Sequence, residues 1–81
     1  MSERLQLKGM LSDLKQKKMK LATGADANVR AMRNILATAS VSPLSEIDLE
    51  SALIHLTEAR QQQEDYFRVC ADIKKIEKEL E

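Results

Sequence analysis

His55 and Cys70 have the widest chemical repertoire in this chain, and each residue type occurs once. An imidazole can ligate metal or move a proton near neutral pH, and a thiolate can attack an electrophile or hold a soft metal. Either task needs company. His55 stands between Ile54 and Leu56, with no cysteine or second histidine spaced to share a metal and only Glu58 one turn on as a hydrogen-bond partner. It is expected to be a polar residue flanking an apolar helical stripe. Cys70 falls on such a stripe, where a thiol packs as a small hydrophobe, and Lys74 one turn away is thin support for a reactive thiolate. Glu64, Asp65 and Asp72 are too scattered for a helical carboxylate metal box, and neither glycine opens a phosphate-cradling loop. The expectation is therefore a protein with no catalytic residue, no metal, no cofactor and no small-molecule substrate.

Lys15, Lys17, Lys18 and Lys20 form the densest basic cluster. Such a run can neutralise phosphates, so a small nucleic-acid-associated regulator is one alternative. Against it, the chain has a formal net charge of zero and shows neither a helix-turn-helix nor a zinc pattern. The first reading of these lysines is a solvated face turned towards an acidic partner helix.

The elements that carry these residues follow from composition and period. With 81 residues the chain is one domain at most, in a size range where a core seldom supplies more than about 3 to 5 kcal/mol. A lone cysteine gives no disulfide and a lone histidine no structural zinc, so self-association is the remaining common supplement. No apolar run approaches the ~20 residues of a membrane span, and no signal-peptide segment opens the chain. A soluble cytoplasmic protein is expected.

Apolar or small residues at Leu7, Leu11, Leu14, Leu21, Ala25, Met32, Ile35 and Ala39 keep helical spacing, predicting a first helix over about 3–39 with Ser2 as its N-cap. Gly24 is its weak point, costing roughly 0.5 to 1 kcal/mol relative to Ala, but no turn dipeptide accompanies it, so the helix is expected to run through. On this view Gly24→Ala is expected to be stabilising. Pro43 cannot lie inside a helix, which places a turn at 40–45. Ser45 as N-cap, Asp48 three residues on and Leu44 stapled to Leu49 predict a second helix over about 45–80. Its main face is Leu49, Ala52, Leu56, Ala59, Gln63, Tyr66, Cys70, Ile73 and Leu80, widened by Leu53, Ile54, Phe67, Val69 and Ile76.

The result is an all-α fold, a single antiparallel two-helix hairpin of coiled-coil type. Its second helix has an apolar surface too wide for one neighbour, so pairing into a four-helix bundle is expected, most simply as a homodimer, with other protein partners possible. Core or oligomer contacts are assigned to Leu7, Leu11, Leu14, Leu21, Met32, Ile35, Leu49, Leu53, Leu56, Tyr66, Phe67, Ile73 and Leu80. The charges divide at the turn. Residues 1–42 carry a net +5 and residues 43–81 a net −5. Folding about residue 42 sets Lys18 and Lys20 near Glu64 and Asp65, Arg33 near Glu50, Asp26 near Arg60, Glu3 near Lys78 and Asp13 near Lys74. Such pairs favour register more than stability, and a swapped dimer would satisfy them equally well. Lys18, Asn28 and Gln63 interrupt the stripes; each either fixes register as a polar seam residue or faces solvent where the stripe drifts.

The opening Met-Ser-Glu-Arg-Leu-Gln-Leu-Lys, the Asn28-Val29-Arg30-Ala31-Met32-Arg33 stretch, the Pro43 turn and the closing Ile73-Lys74-Lys75-Ile76-Glu77-Lys78-Glu79-Leu80 resemble small helical-hairpin proteins of unknown function from Mu-like prophages. The resemblance implies a phage-encoded cytoplasmic accessory or assembly protein and assigns no site residue.

Overall fold

The computed structural model describes residues 3–81, so the N-cap expected at Ser2 lies outside the described residues. Helix α1 runs unbroken over Glu3–Ala39, through Gly24, as the absence of any accompanying turn signal predicts. It ends in a tight turn in which the amides of Val41 and Ser42 both donate to the Thr38 carbonyl, at 3.1 and 2.9 Å. No residue takes a positive φ there, so the stop depends on Pro43, held extended at φ −65° and ψ 156°, rather than on a glycine cap.

Helix α2 covers Leu49–Leu80 and begins later than the expected residue 45. Leu44–Glu46 form a single 3-10 turn, closed by the Glu46 amide on the Pro43 carbonyl at 2.9 Å. The N-cap is Asp48, not Ser45: its carboxylate accepts from the Ser51 amide at 3.0 Å and from the Ser51 hydroxyl at 2.7 Å. Both bonds favour the ionised form and hold the Asp48 carboxyl below the usual aspartate range. An Asp three residues before a Ser is as good a cap as Ser45 before Asp48, and Ile47, extended at φ −86° and ψ 124°, separates the 3-10 turn from α2 and leaves the later one to cap it. Leu44 and Leu49 are both exposed in place of the expected staple.

The helices lie antiparallel in a rod measuring 64 × 16 × 14 Å. On α1 the covered residues are those the spacing predicts: Leu7, Leu11, Leu14, Lys18, Leu21, Ala25, Asn28, Met32, Ile35 and Ala39 are half-buried or buried. On α2 the seam is rotated by one position at every second contact. Ala52, His55, Ala59, Gln62, Tyr66, Val69, Ile73, Ile76 and Leu80 turn inward, so that His55, Gln62, Val69 and Ile76 replace the expected Leu56, Gln63, Cys70 and a position at Glu77. Among the described residues the buried apolar side chains are Val69, Ile73 and Ile76, all in the half of the rod that holds the chain ends.

The rotation leaves Leu49, Leu53, Leu56 and Phe67 more than half exposed, so within the hairpin these assigned contact residues are not core. Hydropathy favoured the leucines; register satisfied the polar groups instead. The expected ion pairs between arms also do not form. The ion pairs among the described residues each stay within one helix: Arg30 with Asp26 at 3.0 Å, Arg60 with Glu64 at 3.9 Å and Arg68 with Asp65 at 3.7 Å. For exposed side chains a partner one turn away is cheaper to reach than one across the seam, and each such pair is worth only ~0.5 kcal/mol.

Candidate interaction surface

Midway along the rod the seam turns polar. Asn28 is buried, and its side-chain amide nitrogen donates to Gln62 Oε1 at 2.8 Å while its Oδ1 lies 2.8 Å from His55 Nδ1. Since Oδ1 accepts, His55 donates to it through Nδ1. His55 and Gln62 are one heptad apart on α2, which lets them bracket Asn28 from either side. The layer needs room, and Gly24, one turn before Asn28, provides it: a Cβ there would stand 2.6 Å from Gln62 Nε2. Gln62 Nε2 is the far end of a flexible side chain, so Gly24→Ala sets its gain in helix propensity against moving Gln62 from Asn28.

Of the interrupting polar residues, Asn28 takes the register role: slipping one helix against the other would strand its buried amide, at a cost of roughly 1 to 3 kcal/mol. Lys18 reaches across the seam to place Nζ 5.7 Å from the centre of the Tyr66 ring, in place of an acidic partner. Gln63 is exposed. His55 was the residue sequence reasoning placed wrongly. The signal that could have found its seam position is the acidic row Glu58, Asp65, Asp72 and Glu79, spaced by seven, which marks one edge of a seam containing 55, 62, 69 and 76.

The two edges of the seam differ. One carries that acidic row, where Asp72 and Glu79 lie beside Met10 and Asp13 of α1. The other, towards the turn, is apolar. There Ala22, Ala25, Val29 and Met32 of α1 and Leu56, Ala59, Tyr66 and Phe67 of α2 line an open groove of about 500 Å³. Alanines form its floor and Leu56 and Phe67 its rim, the latter with its ring edge towards Tyr66 at 6.3 Å between centroids. Leu36, Leu49 and Leu53 continue the exposed apolar surface towards the turn. Soluble monomers seldom leave such continuous apolar surface open.

The other candidate residues are not brought together. Lys15, Lys17, Lys18 and Lys20 point around the whole circumference of α1, since each residue advances ~100°, and so do not make one phosphate-facing side. Cys70 is half-buried and unpaired. Among the described residues no three His, Cys, Asp or Glu side chains gather where a metal could sit, and no helix is long and apolar enough to cross a membrane.

The sequence and fold were also compared with known proteins: no family model, no curated protein and no solved structure matches the chain.

Proposed function

We propose that this chain is a non-enzymatic structural or interaction protein whose activity is self-association: two hairpins pair through their apolar edges to give a four-helix bundle. The observation that carries the reading is the exposure of Leu49, Leu53 and Leu56 near the turn and of Phe67 at mid-rod, on a hairpin whose buried apolar side chains, among the described residues, are Val69, Ile73 and Ile76. A fold with so little enclosed hydrocarbon gains what it lacks by covering that surface. The groove supports a non-catalytic reading. Around its hydrocarbon it offers the amides of Gln62 and Gln63, the Arg60 guanidinium and the Tyr66 ring; the neighbouring Glu64 carboxylate is on Arg60 and the His55 ring is on Asn28.

The resemblance of the segments quoted above to hairpin proteins of Mu-like prophages suggests a cytoplasmic phage accessory or assembly component as the setting. Sedimentation equilibrium tests the self-association directly. The expected mass is twice the 9.2 kDa of the chain, and a 9.2 kDa species persisting at millimolar concentration would contradict it.

A further inference from the structure

We infer that the partner on the apolar groove is a second copy of this chain lying parallel, both turns at the same end, with α1 of each copy over α2 of the other. The inference rests on the self-association proposed above and adds the face and the orientation. A two-fold axis can stack two such hairpins face to face in two ways. With the axis along the rod, the turns meet and α1 covers the partner's α2. With the axis across the rod, the turns point apart and each helix covers its own copy, antiparallel.

The position of the apolar surface along the rod separates these. It occupies the turn half, from Ala22 to Leu36 on α1 and from Leu49 to Phe67 on α2. Beyond it, on the same edge, α1 carries Lys15 and Lys8 at seven-residue spacing and α2 carries Glu77, all exposed. A full antiparallel overlap would seat these lysines on the partner's Val29 and Leu36, burying ammonium groups against hydrocarbon. A partial antiparallel overlap would match the apolar surfaces but leave both charged halves overhanging. The parallel arrangement covers apolar surface with apolar surface and has no overhang.

Charge makes the same selection. The acidic row of α2 lies on the opposite edge, so the charges of this edge decide: Lys8 and Asp26 on α1, Arg60 and Glu77 on α2. At equal heights along the rod, Lys8 meets Glu77 of the second copy and Asp26 meets Arg60 of the second copy. Within one hairpin Asp26 and Arg60 are spent on weak one-turn pairs with Arg30 and Glu64, over half exposed at both Asp26 and Arg60, and are free to exchange. Of the pairs the sequence places between the arms, Asp26 with Arg60 is thus met between copies.

Electron-electron dipolar spectroscopy on a Val41→Cys, Cys70→Ala variant, spin-labelled at the exposed turn, tests the orientation, with sedimentation of the same sample giving its mass. Helices pack at about 8 to 10 Å between axes, so the parallel dimer is expected to give a label separation below about 25 Å. An antiparallel dimer matched through its grooves puts each label ~12 residues from the axis, so at 1.5 Å per residue a separation of ~35 Å or more in a dimer of correct mass overturns the orientation while leaving self-association standing. A monomer overturns both.

Discussion

The two halves of the rod are built in opposite ways. Towards the chain ends, Val69, Ile73 and Ile76 are buried facing the half-buried Leu7, Leu11 and Leu14, and charges share the outside with Leu5, Met10 and Met19. Towards the turn the seam holds alanines, Asn28, His55 and Gln62, while Leu36, Leu49, Leu53, Leu56 and Phe67 stand outside. One half resembles the interior of a small protein and the other an interior opened along its length. The difference teaches that hydrophobic residues at helical spacing do not by themselves say which face is the intramolecular one. Polar groups that need one another can take the seam and send the hydrocarbon outwards, to a second molecule.

Substitutions in each half should therefore fail differently. The largest effect is expected at the sealed end: Ile73→Ala removes a buried side chain at a typical cost of about 2 to 5 kcal/mol, comparable to everything a core of this size supplies. Circular dichroism should show most helicity lost, and unchanged thermal unfolding would remove Ile73 from the core. In the polar layer, Asn28→Ala strands His55 and Gln62 together and should cost roughly 1 to 3 kcal/mol in chemical denaturation; a neutral result would mean that both find water instead. In the open half, Leu56→Asp is expected to leave the sealed half helical while shifting the sedimenting mass to that of one chain. Loss of all helicity in that variant would erase the distinction between the halves.

Smaller effects sharpen the picture. Gly24→Ala gains helix propensity, about 1 kcal/mol, but pushes Gln62 from Asn28 and forfeits a hydrogen bond of similar worth, so stability should stay within about 0.5 kcal/mol of the wild type. A full gain would show that Gln62 is not held over the glycine. Smallest is the acid response of Asp48. Its carboxyl is lowered in the folded state, so its contribution is present above the ordinary aspartate value of about 3.9 and disappears as pH falls through the lower folded value. Fraying of the first turn of α2 in that window, abolished in Asp48→Asn, is the expected signature by NMR amide shifts.

Much of this architecture is legible in the residues. The α1 face, its unbroken course through Gly24, the break at Pro43 and the antiparallel hairpin all follow from spacing and from one proline. Hydropathy makes the α2 seam legible only in part: it favours Val69 over Cys70 and Ile76 over Glu77, but Leu56 over His55. The choice was made by hydrogen bonds between residues 27 and 34 positions apart, which a one-helix period cannot see. The cap of α2 has a more local reason: Ser45 and Asp48 are both good N-caps, and the extended Ile47 between them leaves Asp48 at the start of α2. The charge split was read correctly as two opposed arms, yet its exposed members pair within their own helices.

Amide hydrogen exchange followed by mass spectrometry at low and high protein concentration tests most directly the claim that the turn half is the association surface. Protection of residues 22–36 and 49–67 should rise with concentration, while that of residues 7–14 and 69–80 changes much less. Protection independent of concentration in both halves, or rising only at the chain ends, would contradict it.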